Sequence, residues 1–189
     1  MVPDESRSYL VPFVSGTLFG YLDSRNQAVA IPAIYDWAKP FEGDYACVMK
    51  DGKFGCIRRS GELVLPIEYD APIYFNTYGF AKIKKGIKYG LCGPNAEIIL
   101  QPKYLNVGDR VSLGYVRVLN DGKWFYVDVD GNKKSPRVYN DATDFNDKGS
   151  AFVYIEDRGK YGDSKWYAID ADFNDYSGCV YRGDVLIKK

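Results

Sequence analysis

Apolar residues in this chain come in short runs separated by glycine, asparagine and aspartate, and no stretch sustains the 3.6-residue apolar period of an amphipathic helix. Four runs open with an aromatic: Phe19-Gly20-Tyr21-Leu22, Phe54-Gly55-Cys56-Ile57, Tyr89-Gly90-Leu91-Cys92 and Trp124-Phe125-Tyr126-Val127. They start 35 residues apart, and Trp166 follows after a longer gap of 42. Each run predicts a strand of about four or five residues. A turn rich in Ser, Gly, Asn or Asp comes next, and then a return strand over residues 28–31, 63–65 or 98–100. Pro32, Pro66 and Pro102 cannot donate to a ladder, so they close the return strand or put it on an edge.

Further columns repeat at nearly the same interval. Tyr35, Tyr69, Tyr104 and Tyr139 form one, and Gly43, Gly79, Gly114 and Gly149 another. A third strand starts at the glycine and alternates, with Ala46, Ala81, Val116 and Ala151 on its core face beside Val48, Ile83, Val118 and Val153. Turns such as Asp51-Gly52-Lys53 and Asp121-Gly122-Lys123 then lead to the next aromatic.

A fixed period of this size signals a repeat protein, in which no unit buries its apolar face alone. The expected fold is all-β, with units of three short antiparallel strands forming a curved meander or solenoid. A closed propeller-like array is the alternative, placed second because three strands are few for a propeller blade. Units are expected near residues 19–53, 54–88, 89–123 and 124–165, with a partial unit at 166–189, all in one repeat domain over 16–189. Residues 1–15 supply a loose terminus and a capping strand around Tyr9-Leu10-Val11-Pro12-Phe13-Val14. At most a single helical turn is expected, near 35–42 or 70–76.

The unit, an aromatic with Gly, a turn glycine, an aliphatic strand, Pro, Tyr-Asp, Phe, Gly, Ala-x-Val and Asp-Gly-Lys, resembles the WG repeat family, the Trp-Gly containing β repeats of bacterial proteins. In the first unit Pro32, Tyr35-Asp36, Phe41, Gly43, Ala46, Val48 and Asp51-Gly52-Lys53-Phe54-Gly55 fall in the family's order. The literal Trp-Gly is absent: Phe-Gly occurs twice and Tyr-Gly once, followed by Trp124-Phe125 and Trp166-Tyr167. The resemblance covers roughly residues 16–170 and implies a binding or structural repeat whose pattern holds no catalytic residues.

Composition narrows the function classes. With 25 basic against 25 acidic residues and no histidine, the chain carries no net charge to draw nucleic acid and lacks the commonest general base and metal ligand. No metal or cofactor is therefore expected. Cys47, Cys56, Cys92 and Cys179 lack disulfide-framework or zinc spacing and read as buried thiols, with Cys56 and Cys92 at near-equivalent places of successive units. Neither a secretory signal nor a membrane-length apolar run is present, so a cytoplasmic location, no membrane partner and a monomer are expected.

Candidate chemistry is sparse. Asp36 and Asp70 follow the Tyr column as turn caps, with Leu105 and Asn140 in their place later. Asp128, Asp130 and Asn132, like Asp170, Asp172 and Asn174, begin as a calcium loop does but lack its glycine and closing Glu. Lys82, Lys84, Lys85 and Lys88 read as a solvated strand face. The Tyr column reads as a buried ladder rather than a groove. Contact residues are sought in the crossings, at Tyr74, Phe75, Tyr78, Tyr115, Phe145 and Tyr161, together with Tyr176 and the long loop at 156–165. The leading expectation is a non-catalytic module that binds another protein, with an inhibitor or immunity-type partner as its specific version; a glycan-binding protein and an enzyme are the alternatives. Phe54 is expected to anchor the scaffold, its truncation to alanine costing about 3–5 kcal/mol.

Overall fold

A computed structural model describes residues 9–156, 165–174, 179–182 and 185–188, and every regular element among them is a β-strand. The helical turn allowed near 35–42 or 70–76 does not form: Trp37–Ala38 is a short strand, and the later segment crosses without regular structure. Among the described residues no helix is long and apolar enough to cross a membrane. The described residues up to Gly86, with 94–97, form one compact unit, and 87–93 with those from Ile98 onward form a second. Residues 1–8 lie outside the described set.

The first unit begins with β1 (Leu10–Ser15), β2 (Leu18–Asp23) and β3 (Val29–Tyr35), an antiparallel sheet in that order. The strand expected around Tyr9 thus pairs along β2, from Leu10 opposite Asp23 to Ser15 opposite Leu18. A four-stranded sheet follows, β4 (Trp37–Ala38), β5 (Tyr45–Lys50), β6 (Lys53–Arg58) and β7 (Leu63–Tyr69). The strand β8 (Ala81–Lys85) closes this unit, where the Asp70 N–H donates to the Lys84 carbonyl at 2.9 Å.

The second unit holds the hairpin β9 (Lys88–Cys92) and β10 (Ile98–Tyr104), then β11 (Asn106–Val107), β12 (Tyr115–Asn120) and β13 (Lys123–Asp128) as one sheet. Another sheet comprises β14 (Asp141–Ala142), β15 (Ala151–Ile155) and β16 (Lys165–Ile169), and β17 (Cys179–Arg182) pairs with β18 (Val185–Lys188).

The sheets are out of phase with the 35-residue sequence unit. The third strand of one unit pairs with the first strand of the next, as β5 does with β6 across Asp51-Gly52, and a two-residue strand such as β4 joins at the far edge. Within each unit an apolar core lies between successive sheets. Tyr21, Ile31 and Tyr35 from the first sheet pack on Ala38, Ala46, Val48 and Ile57 from the second. Tyr126, Tyr139, Ala142, Phe145, Ala151, Val153 and Ile169 repeat the arrangement in the second unit. The small residue of the third strand lets the larger aromatic of the preceding sheet fill the gap.

The return strands do not stop at their prolines. They run on to the tyrosine column, with the opening aromatic opposite that tyrosine: Phe19 faces Tyr35, Phe54 faces Tyr69 and Tyr89 faces Tyr104. Five residues of β7, Leu65 to Tyr69, lie opposite three of β6, Cys56 to Phe54. The extra residues form a bulge that contains the proline, and β3 and β7 sit at sheet edges as the missing N–H requires. The bulge folds onto the glycine of the opening motif. A Cβ on Gly55 would lie 2.7 Å from Ile67 Cγ1 and 2.8 Å from the Leu65 oxygen, and one on Gly90 only 2.2 Å from the Leu100 oxygen. In the fourth repeat Phe125 replaces the glycine, and the return segment keeps only isolated bridges, Trp124 with Tyr139 and Val127 with Lys133.

The scaffold role expected of the opening aromatic needs correction in degree. Phe54 is half-buried, with Trp37 edge-on at 6.2 Å, while Cys56, Ile57 and Leu65 beside it are sealed. Phe54→Ala is thus expected to cost about 1.5–2.5 kcal/mol, roughly half of a full core truncation. Gly55→Ala, which adds one methyl group against backbone and the Ile67 side chain, is expected to cost a comparable amount, about 1–3 kcal/mol. Urea unfolding of the two variants checks both values.

Candidate functional site

The tyrosine column is core. Tyr35, Tyr69, Tyr104 and Tyr139 are each at most 5% exposed, so the ladder reading holds and no groove runs along them. Tyr104 donates its hydroxyl to the Gly131 carbonyl at 3.5 Å. Two further buried tyrosines span successive sheets: Tyr21 donates to the Lys39 carbonyl and Tyr126 to the Thr143 carbonyl, both at 2.7 Å. Burial pushes both phenols well above their usual range.

The carboxylate column is also structural, though it caps a different turn from the one expected. Asp36 accepts the Asp51 N–H at 2.6 Å and Asp70 accepts the Gly86 N–H at 2.5 Å, so each holds the hairpin that leads into the next repeat. Asn140 does the same for the Glu156 N–H at 3.1 Å. Asp70 also pairs with Lys53, and this contact, with the Gly86 bond, holds its carboxyl below the usual range.

The two aspartate loops are closed by their own donors. Asp128 accepts from the N–H groups of Asp130 and Asn132 at 3.1 and 2.8 Å, from Asn132 Nδ2 at 3.1 Å and from the Lys134 ammonium at 3.0 Å. Asp170 repeats the pattern with Asp172 and Asn174. These oxygens are oriented as Asx-turn acceptors rather than as a calcium shell. Loss of water alone would raise the Asp128 carboxyl, but the Asn132 and Lys134 donors outweigh it and hold it at about 2.

Basic residues of the Lys82–Lys88 stretch are drawn into local pairing. Lys85 meets Glu68 at 2.7 Å and lies over the Tyr69 ring at 5.5 Å, and Lys88 donates to Asn120 at 3.4 Å. Arg117 is clamped by Asp144 at 2.9 Å and the Ala142 carbonyl at 2.6 Å, with its guanidinium over Trp124 at 4.7 Å.

What the first unit presents outward is the crossing after β7. Its buried peg is Ile73, whose N–H donates to Cys47 Sγ at 3.3 Å. A second anchor is Asn76, whose side-chain oxygen accepts from the Tyr78 and Phe80 N–H groups at 2.9 and 3.1 Å. Between and beside these anchors Tyr74 and Tyr78 stand out, 50% and 56% exposed. The Lys39 ammonium sits 4.3 Å over the Tyr74 ring and pairs with Glu42 at 2.5 Å. Phe75 stacks on Tyr45 at 5.0 Å with the rings 24° apart. Tyr45 in turn borders an open depression of about 410 Å³ formed with Asp44, Arg58, Arg59 and Ser60. Arg59 is steadied there by two bonds to the Gly43 carbonyl, at 2.8 and 3.2 Å.

Three of the expected contact residues, Tyr74, Phe75 and Tyr78, are thus brought together. Tyr115 is half-buried in the second unit against Phe145 at 5.8 Å and Phe173 at 5.2 Å. Phe145 is only 1% exposed and belongs to the core, so its expected exposure fails: it packs on Tyr126 at 5.0 Å. Tyr161, Tyr176 and most of the 156–165 loop lie outside the described residues. Tyr45, Lys39, Arg58 and Arg59 escaped the sequence reading. An available signal was the aromatic at 35-residue spacing in Tyr45, Phe80 and Tyr115.

Two outcomes follow. Phe145→Ala is expected to cost about 3–5 kcal/mol as a core truncation, whereas Tyr78→Ala should stay within about 0.5 kcal/mol, as urea midpoints will show. The Asp128 carboxyl titrates near about 4 when unfolded but near 2 when folded, so its contribution is complete above about pH 4 and lost as pH falls toward 2. Asp128→Asn should therefore flatten the acid limb of the stability profile between those values, measured by unfolding at a series of pH.

The family described as WG containing repeat matches the chain four times, over residues 19–54, 54–89, 89–124 and 124–161. No curated protein matches the sequence. Among solved structures, a crystal structure of the eukaryotic initiation factor superposes with a TM-score of 0.53 at 10% identity, over 90% of this chain and 52% of that one. KlHsv2 with loop 6CD replaced by a Gly-Ser linker gives 0.41 at 10% identity, over 88% and 64%. A protein of unknown function from Bacteroides caccae gives 0.32 at 11% identity, over 89% and 71%. The chain spans about half the length of the initiation-factor structure, and at such identity that likeness concerns the fold alone. With consecutive repeats matched over residues 19–161 and with one strand pattern recurring through them, the chain belongs to the WG-repeat family.

Proposed function

We propose that this WG-repeat chain is a non-catalytic module of the bacterial cytoplasm that binds another protein through the crossing surface of its first unit. The observation that carries the reading is the pair Tyr74 and Tyr78, large rings half in water on a crossing whose backbone is anchored at Ile73 and Asn76. A rigid aromatic beside a cation loses little side-chain entropy on binding, and Tyr and Arg are the residues that most often dominate protein interfaces. Lys39 lies over the Tyr74 ring, and Arg58 and Arg59 border Tyr45, which stacks on Phe75 of the same crossing. The regular polar columns support the same division of labour, since Asp36, Asp70 and Asn140 are occupied as turn caps. An inhibitor or immunity-type protein would act through this same face.

The test compares the chain with a Tyr74→Ala/Tyr78→Ala double variant as immobilised bait in lysate of its native cell, read by quantitative mass spectrometry. At least one protein should be recovered about tenfold less by the variant, a loss that 1.4 kcal/mol of interface energy produces. The melting temperature should not change. Equal recovery by both baits, or retention of glycans and no protein, contradicts the reading.

A further inference from the structure

Strands β5 and β6 are joined by Asp51-Gly52, whose φ angles of 52° and 72° make a two-residue primed hairpin. Lys50 pairs with Lys53 at its mouth, followed by Met49 with Phe54, Val48 with Gly55 and Cys47 with Cys56. In such a hairpin the mouth pair is hydrogen-bonded and the pairs alternate outward, so Cys47 and Cys56 form a non-hydrogen-bonded pair. Directly opposed residues of that kind have Cα atoms about 4.5 Å apart, inside the span of about 4.4–6.8 Å that a disulfide bridges. Cys47 and Cys56 are buried thiols, 4% and 1% exposed. Their neighbours Ala46, Val48 and Ile57 face the core between sheets, which puts both thiols on the opposite face of the sheet. There Cys47 Sγ accepts the Ile73 N–H and so fastens the crossing. Cys92, which had read as the counterpart of Cys56, stands opposite Ile98 instead.

We propose that Cys47 and Cys56 are a peroxide-responsive dithiol that closes to a cross-strand disulfide and, in closing, releases the crossing that carries Tyr74 and Phe75. One sulfur attacks the peroxide: an S–O bond forms, the O–O bond breaks and one water leaves. The second sulfur attacks the resulting sulfenic acid, the S–O bond breaks, the S–S bond forms and a second water leaves. Two thiol hydrogens and one hydrogen peroxide are consumed, and the sulfurs are oxidised as the peroxide is reduced. Turning Cys47 Sγ toward Cys56 withdraws the acceptor from the Ile73 N–H, a buried donor that then loses its protection. Burial raises the Cys47 thiol, outweighing the Ile73 bond, so the first step is slow at neutral pH and quickens as the pH rises. The inference holds whatever the crossing binds.

The experiment treats the intact chain with hydrogen peroxide and maps products by mass spectrometry without reduction, alongside hydrogen exchange at the Ile73 amide. A crosslink between the tryptic peptides 26–50 and 54–58 is expected, with Ile73 exchange faster by about tenfold or more. Cys56→Ser should give no crosslink and an Ile73 exchange rate that peroxide does not change, and Cys56→Ala repeats the control without a new hydroxyl. Sulfinic or sulfonic acid at these positions with no crosslink overturns the dithiol. A crosslink with unchanged Ile73 exchange overturns its link to the crossing.

Discussion

The contact on which this structure most depends is the collapse of the proline-bearing bulge onto the glycine of the opening motif. Gly20, Gly55 and Gly90 each lie against the backbone of a return strand closer than any Cβ allows. The bulge shortens the return strand, so that it reaches its tyrosine opposite the opening aromatic, and it repeats with one burial pattern in β7 and β10. Buried residues then stand four apart along the strand, as Leu65 and Tyr69 do, rather than two. This spacing puts Tyr35 and its equivalents into the gap between sheets, where the small residues of the next third strand receive them. Where Phe125 takes the glycine's place, the return strand dwindles to bridges. A covalent detail, the presence or absence of one Cβ, thereby decides whether a repeat completes its sheet.

Much of this was legible in the chain. The 35-residue period, the all-β reading and the burial of Ala46, Val48, Ala81, Ile83, Val116, Val118, Ala151 and Val153 follow from spacing and alternation, and the structure shows each. The proline posed two options, strand end or edge, and the edge is what forms, because a bulge absorbs the missing N–H. Pairing across unit boundaries was harder to see. A sequence period fixes the length of a repeat but not the strand at which its sheets divide, and Asp51-Gly52 belongs to a sheet rather than to a gap between units.

The functional surface was legible only in part, for a physical reason. Column residues repeat because every sheet imposes the same packing on them, whereas the crossings answer to local anchors. Asn146 repeats the bonds of Asn76 two periods on, but Asp144 and Lys148 stand there where the first unit has Tyr74 and Tyr78, so the anchor recurs while the exposed aromatics do not. Phe145 was read as another crossing aromatic, yet it lies in a core with Tyr126, Tyr139 and Phe173 nearby. Phe75, at the same distance from its own column tyrosine, is only half-buried, against Tyr45. Asp36 and Asp70 show the converse: their regularity is that of a cap on the following hairpin.

The central claim is that the repeating columns build the scaffold and that recognition belongs to the crossings where the repeats differ. The most direct measurement takes Tyr35→Ala from the column and Tyr74→Ala from the crossing, and determines the urea midpoint and partner recovery on the same samples. The account predicts a large fall in stability with recovery retained by the folded fraction for Tyr35→Ala, and a small stability change with reduced recovery for Tyr74→Ala. A folded Tyr35→Ala protein that no longer retains its partner, beside a Tyr74→Ala protein that retains it fully, would contradict the account.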